Sequence, residues 1–371
     1  MKIAMFGHKR IPSREGGVEI VVEELSTRLA ALGHQVICYN RRGHHVSGRE
    51  FDAQELQQHR DVVLKQVPTL DKRGLAAVSS SFFAALCAAF SKADVVHIHA
   101  EGPAFMCWLP KLLGKRVIVT VHGLDWQREK WKRGFGAKYI RAGEKMAVRW
   151  ADEIIVLSRG EQRYFRDAYG RETVFIPNGV TKPETAEAVE ISKLFGLQKD
   201  EYILFLGRLV PEKGIHYLID AYQQIDTDKK LVIAGGASDT DDYAQQLHRK
   251  SGADARIVFT GFVQGQVLQE LYSNAYIYVL PSDVEGMPLS LLEAMSYGNC
   301  CLTSDIEECA SVIADAGVTF EKGNVSDLAA KLRELCGEPE KVIAYRRGAA
   351  DYVLQQYSWD DITLKTLELY G

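Results

Sequence analysis

The 371-residue chain has 46% hydrophobic and 25% charged residues, the balance of a globular protein, which excludes a disordered or fibrous chain. Hydrophobic cores stop growing near ~250–300 residues, so two domains are expected. The formal net charge of -4 hides an asymmetry: residues 1–180 carry 28 Lys+Arg against 19 Asp+Glu, or +9, which leaves -13 for the rest. A basic first half is expected to face something anionic, whether a membrane surface, a diphosphate or a nucleic acid.

The longest apolar stretch, Leu75 to Phe90, is interrupted by Ser79, Ser80 and Ser81 and falls short of the ~20 residues that span a bilayer. The apolar run that opens the chain at Ile3 is too short for a signal-peptide core and reads as a first buried strand. A cytoplasmic protein is expected. Seven cysteines without CxxC spacing, mostly in apolar segments, read as reduced buried thiols.

In chain order, short β-branched runs alternate with helix-length amphipathic stretches, the pattern of βα units around parallel sheets. The first set of strands is Ile3–Phe6, Val36–Tyr39, Val62–Val67, Val95–His99, Val117–Val121, Ile154–Leu157 and Val174–Ile176, with helices such as Val18–Leu32 and Phe82–Phe90 between them. The alternation restarts with Tyr202–Leu206, Leu231–Ala234, Arg256–Thr260, Ile277–Leu280 and Cys300–Thr303. Between the sets, Asn178-Gly179 marks a turn and Pro183 blocks regular pairing. The expected fold is α/β, two doubly wound parallel-sheet domains facing a cleft. The first spans 1–181 and the second 182–357; a last helix from Ser358 to Tyr370 packs back on the first. Open α/β sheets bind ligands at the carboxyl ends of their strands.

Two motifs of the second domain carry chemistry. After the strand ending at Leu280 comes Ser282-Asp283-Val284-Glu285-Gly286-Met287-Pro288-Leu289, then a helix carrying Glu293. Pro288 suits the first helical turn, and the amides from Gly286 to Leu289 are expected to point outward at phosphate oxygens. Glu285 and Glu293, eight positions apart, are expected on nearly the same helical face, holding hydroxyls at two ends of one ligand. After the strand ending at Leu206, Gly207-Arg208 and Lys213 deliver two cations to the same edge of an acidic domain. Either motif taken singly fits a plain helix start or a solvated ion pair; together they point to a bound diphosphate.

These residues resemble the family 4 retaining glycosyltransferases, two-domain enzymes of the GT-B type with Glu, seven residues, Glu, and an upstream Arg and Lys. The resemblance runs over nearly all the chain, through Gly16-Gly17, His122, Asn178 and the closing Tyr357-Ser358-Trp359 segment. It implies that Arg208 and Lys213 neutralise the departing nucleotide diphosphate, that Glu285 lies beside the donor sugar and that Glu293 binds the ribose hydroxyls. It places Gly16 and Gly17 on the diphosphate and acceptor side, and His122 against the donor sugar. Gly207, Phe262, Val263, Gly286, Met287, Pro288 and Leu289 complete the donor-binding set. One departure concerns the sugar hydroxyls read by the loop: many members have Glu-Gly-Phe-Gly, whereas here Pro288 follows Glu285-Gly286-Met287.

Gly16 and Gly17 open a helix after the first strand, where glycine permits close backbone approach to a ligand. His97 and His99 alternate on one strand without further metal ligands and read as packing or cleft-lining residues. Between Arg128 and Trp150 stand eight basic residues, with Trp126, Trp131, Phe135 and Tyr139 before and among them, which suits an anionic lipid surface. The expected acceptor side comprises Asp125, Trp131, Lys132, Arg133, Lys138 and Arg141.

The two Asp-x-Asp tripeptides, Asp226-Thr227-Asp228 and Asp239-Thr240-Asp241, fall outside the two motifs, so fixed cations and helix amides are expected to replace a metal, each contributing ~3–4 kcal/mol to the transition state. The function expected is transfer of a sugar, with retention, from a nucleotide-diphosphate donor to a glycan or lipid-linked acceptor in cell-surface polysaccharide or glycoconjugate synthesis. No cofactor, metal or nucleic acid takes part, and contact with the inner face of the membrane is peripheral. A GT-B-like nucleotide-sugar epimerase and a nucleic-acid-binding protein using the basic face are the alternatives.

Overall fold

A computed structural model describes residues 1–45, 48, 56–70, 72, 74–127, 135–237 and 241–371. Two compact units emerge: Met1–Gly179 with Trp359–Gly371, and Val180–Ser358.

The first unit holds β1 (Lys2–Phe6), β2 (Gln35–Arg41), β3 (Gln58–His59), β4 (Val62–Val67), β5 (Val95–His99), β6 (Arg116–Val121), β7 (Glu153–Val156) and β8 (Val174–Phe175). They form one sheet in the order β3-β4-β2-β1-β5-β6-β7-β8, parallel except for the β3–β4 pair. Strands covered by helices on both faces read as near-continuous apolar runs, as the fully buried Val95–His99 does. The chain winds outward from β1 in both directions, so its switch point lies beside β1. The turn there needs glycine: Gly7 has φ +111, and a Cβ on it would meet the His99 carbonyl oxygen at 2.0 Å.

The second unit holds β9 (Tyr202–Leu206), β10 (Lys230–Ala234), β11 (Ile257–Gly261), β12 (Ile277–Leu280), β13 (Cys300–Ser304) and β14 (Val318–Phe320). All run parallel, in the order β11-β10-β9-β12-β13-β14. Winding again reverses, here between β9 and β12, the two strands that feed the motifs read from the sequence.

The helix expected from Phe82 starts at Leu75 and ends at Ala89. Its serines do not break it because they bond back along it: Ser79 Oγ donates to the Leu75 carbonyl at 2.8 Å and Ser81 Oγ to that of Ala77 at 2.6 Å. Strands β3 and β14, two and three residues long, leave too little periodicity to be read. The last helix, Trp359–Glu368, belongs to the first unit. Trp359 fills the space beside Gly179, where a Cβ would lie 2.6 Å from its ring, and Arg116 Nε donates to the Leu369 carbonyl at 2.7 Å. All seven cysteines are free and five are buried; burial pushes the Cys38, Cys107 and Cys300 thiols up to about 12.

Candidate active-site residues

In the second unit the two strand exits beside the switch point are locked together by backbone. Past β9, the amides of Gly207 and Leu209 donate to the carbonyls of Ala234 and Gly236, both at 3.0 Å. The chain then makes a 3-10 turn over Pro211–Lys213 and reverses at Gly214, φ +67. A Cβ on Gly214 would sit 1.9 Å from the Pro281 carbonyl oxygen, which belongs to the exit of β12. Next to this contact the Asp283 amide donates to the Glu212 carbonyl at 2.8 Å.

That lock brings Lys213 to Glu285. Lys213 Nζ lies 2.5 Å from Glu285 Oε1, with the two side chains 14% and 9% exposed. Ser282 Oγ donates to the same carboxylate oxygen at 2.6 Å. Ser282 is itself fixed, its carbonyl accepting from Ser304 Oγ at 2.6 Å. A buried ion pair needs such added hydrogen bonds to repay its desolvation.

The helix after this loop runs from Leu289 to Ser296, and Pro288 is its N-cap at φ -78, ψ 102. Pro288 therefore lies one position before the first turn in which it was expected. Glu285 sits in the loop before the helix, so it shares no helical face with Glu293. The cause is local: Pro disfavours helical geometry in the residue before it, and the bonds of Ser282 and Asp283 hold the loop as a turn. The Leu291 and Leu292 amides already reach the Pro288 carbonyl at 3.1 and 3.3 Å, so amides of Gly286, Met287, Leu289 and Ser290 precede the helical ladder. Glu293 Oε2 lies 3.0 Å from the Tyr272 hydroxyl, and the Tyr272 ring stacks on Tyr297 with centroids 5.3 Å apart. Arg208 follows Gly207 at the exit of β9, and Phe262 and Val263 leave β11 at the same edge of the sheet.

In the first unit, Gly16 caps the helix Gly17–Ala31 in extended geometry, φ -171. A side chain there would meet only the far end of Glu19, at 2.9 Å, so this glycine is not forced by its backbone. The preceding loop is anchored on Asn40, which bonds His8 Nε2 at 2.9 Å and both the amide and the carbonyl of Ile11.

His122 follows β6, and its Nε2 lies 3.0 Å from His99 Nδ1. His99 stacks on His97 with centroids 4.2 Å apart, and His97 bonds the Tyr370 hydroxyl at 2.6 Å and Thr120 Oγ1 at 2.7 Å. Burial lowers the His97 pKa to about 3 and drives that of His99 well below its ordinary value. Both rings are neutral at pH 7. Reading them as packing or cleft-lining residues did not single out the bond by which His99 orients His122, for which the i, i+2 spacing on one strand was the available signal. Among the described residues no cluster of three or more His, Cys, Asp and Glu is arranged to hold a metal.

Glu101, just past β5, was not singled out in the sequence. It is buried, its Oε2 accepts the Asp125 amide at 2.8 Å, and burial, with Asp125 and Glu144 nearby, raises its pKa well above the ordinary range. Glu144 accepts from the Tyr164 hydroxyl at 2.9 Å and from that of Tyr169. This carboxyl pair ties the segment that carries Asp125 to the helix Phe135–Trp150. Lys138 and Arg141 lie exposed on that helix, Arg141 over the Trp126 ring at 4.6 Å. Trp131, Lys132 and Arg133 lie outside the described residues.

Two family models match the chain in tandem: Glycosyltransferase Family 4 over residues 15–182 and Glycosyl transferases group 1 over 189–351. The O-antigen chain mannosyltransferase B of Escherichia coli is 30% identical over 190 residues, 50% of this chain and 49% of its own. Sucrose-phosphate synthase of Thermosynechococcus elongatus superposes with a TM-score of 0.85 at 21% identity, over 100% of this chain and 98% of its own. HepE of Anabaena, solved in complex with UDP-glucose, superposes with a TM-score of 0.81 at 18% identity, over 99% of this chain and 98% of its own. The tandem match, the two doubly wound sheets and the strand-exit motifs together identify the chain as a glycosyltransferase of family 4 with the GT-B fold.

Proposed function

We propose that this enzyme transfers a hexose, with retention, from a nucleotide-diphosphate donor held by residues 182–357 to a glycan or lipid-diphosphate-linked acceptor held by residues 1–181, in cell-surface polysaccharide or glycoconjugate synthesis. The observation that carries the reading is the Lys213–Glu285 pair, braced by Ser282 where the sheet reverses its winding. The name of the E. coli relative, an O-antigen chain mannosyltransferase, supports a polysaccharide product. HepE in complex with UDP-glucose supports a nucleotide-sugar donor.

As the bond from the sugar to the β-phosphate breaks, negative charge grows on phosphate oxygen and positive charge at the anomeric carbon. Lys213, Arg208 and the amides from Gly286 to Leu289 stabilise the first. Fixed donors in a water-poor site cost no reorganisation when the charge appears, so no metal is required. Glu285 binds donor-sugar hydroxyls and Glu293 the ribose, while His122, oriented by His99, contacts the donor sugar. The acceptor attacks from the face the phosphate leaves, and the phosphate takes its proton. Acceptor-side residues are Asp125, Trp131, Lys132, Arg133, Lys138 and Arg141, beside the cytoplasmic leaflet.

Hydrolysis of a panel of nucleotide sugars in the presence of EDTA tests the reading. Release of one nucleoside diphosphate is expected, lowered about 10²–10³-fold in Lys213→Ala, the size of effect seen when one preorganised charge-stabilising donor is removed. No turnover of any donor, or full activity in Lys213→Ala, overturns it. A glycosyl adduct trapped on Glu285 overturns the proposed face of attack.

A further inference from the structure

The helix Leu75–Ala89 carries no charged residue, yet one whole side of it is bare. Leu75, Phe82, Phe83, Cys87 and, just past its end, Phe90 are exposed, Phe90 at 75%. These positions recur at the i, i+7, i+8, i+12 and i+15 spacing of a single helical face. The opposite face is Ala84, Ala85 and Ala88, fully packed in the core. Water is a poor partner for a stripe of this kind; monomeric proteins rarely present one without a use.

The same buried cluster that takes Ala84, Ala85 and Ala88 also takes Ala104 and Cys107, Ala147 of the helix Phe135–Trp150, and Phe165. These helices therefore lie side by side on one face of the first unit's sheet. Beyond the apolar stripe, the short helix Trp108–Leu112 adds Leu112 at 60% exposure, followed by exposed Leu113. Lys115 of the next turn reaches back to donate to the Ser91 carbonyl at 2.9 Å, so Lys115 and exposed Lys92 stand beside Phe90. Farther along the layer, Lys138, Arg141, Lys145 and Arg149 are all exposed at helical spacing. Of the carboxylates here, Glu101 and Glu144 are buried, while exposed Asp94 accepts the Lys2 amide at 2.7 Å and exposed Asp167 pairs with Arg166.

We propose that the outer surface of this helical layer docks on an anionic lipid bilayer, the Leu75–Phe90 stripe entering the acyl boundary while the Lys138–Arg149 stripe meets the head groups. The inference deepens the peripheral membrane contact proposed above and relocates its apolar anchor. Among the described residues Trp126 does not supply one: it donates to Glu144 at 3.3 Å and lies under Arg141. A second copy seated on the apolar stripe leaves the basic stripe unmatched, because the two stripes sit on different helices. A flat anionic bilayer meets both at once. Apolar burial and attraction to anionic lipid add in such binding.

The test uses the full chain and vesicles of phosphatidylcholine containing about a quarter phosphatidylglycerol, enough for a negative surface potential, beside vesicles of phosphatidylcholine alone. Co-sedimentation with the anionic vesicles, weakened by salt, is expected. The triple variant Phe82→Ser, Phe83→Ser, Phe90→Ser is expected to bind about tenfold or more weakly from lost apolar burial. Lys145→Glu with Arg149→Glu is expected to lose the preference for anionic lipid. All three side chains of the triple variant are exposed, so circular dichroism should match the wild type, and hydrolysis of a soluble nucleotide sugar without vesicles should be unchanged. Failure of the wild type to co-sediment, or equal binding by the Phe variant, overturns the proposal while hydrolysis still upholds the transferase reading. A wild-type dimer in sedimentation velocity that the Phe variant dissolves, without vesicle binding, overturns it in favour of a second copy.

Discussion

Lys213 and Glu285 are nearly buried, so each depends on the other. Removing one partner of a buried pair costs about 3–5 kcal/mol, because the remaining charge is stranded. Urea unfolding should show Glu285→Ala destabilised on that scale. Lys213→Met combined with Glu285→Gln should recover much of the loss while activity stays low, which separates the pair's role in folding from its role in chemistry. The histidines give a pH signature. Burial lowers His8 to about 4 and His97 to about 3 from 6.5, so the unfolded chain binds protons first as pH falls below 6.5. Stability is full above pH 6.5 and declines toward pH 4, each histidine adding a slope of up to about 1.4 kcal/mol per pH unit. His97→Gln should flatten that slope in acid unfolding curves. Glu101 acts with the opposite sign: its raised pKa means that stability is lost as pH climbs above 4.5. Glu101→Gln, neutral at every pH, should make the protein more stable at pH 8 than the wild type.

At the scale of elements, the strand-exit loops depend on backbone contact more than on side chains. Gly214→Ala must both hold a positive φ, at about 1–2 kcal/mol, and displace the Pro281 carbonyl. Such a variant should lose at least ~2 kcal/mol and, by shifting Ser282 and Glu285, most of its turnover; melting and hydrolysis assays check both. The helix Arg159–Tyr169 offers a contrast, since it begins with a reciprocal capping box between Ser158 and Glu161. Ser158→Ala should cost about 1 kcal/mol with activity intact. The strands that feed these loops were legible as β-branched runs, with ends displaced by a residue or two. The start of the helix after Pro288 was not, because a hydrogen bond from Asp283 to Glu212, 71 positions back in the chain, holds the loop out of helical geometry and leaves no periodic trace.

For the whole molecule, the closing segment is the piece with the longest reach. Trp359, Ile362 and Tyr370 are buried in the first unit, and Arg28 Nε bonds Asp360 Oδ1 at 2.8 Å. Burying an aromatic side chain is worth about 3–5 kcal/mol against truncation to Ala, so a chain ending after Ser358 should unfold its first unit at lower temperature, with the second unit's transition little changed in calorimetry. Composition, alternation and two short motifs were enough to determine two doubly wound sheets and the strand exits that carry Arg208, Lys213, Glu285 and Glu293, because local periodicity and strand-end chemistry are written in neighbouring residues. Tertiary structure decided the rest: that Lys213 pairs with Glu285, that His99 steers His122, that Glu101 meets Glu144, and that the Leu75–Phe90 helix leaves its phenylalanines bare. Each depends on which distant segments meet, and a linear pattern records burial only as an average over a face.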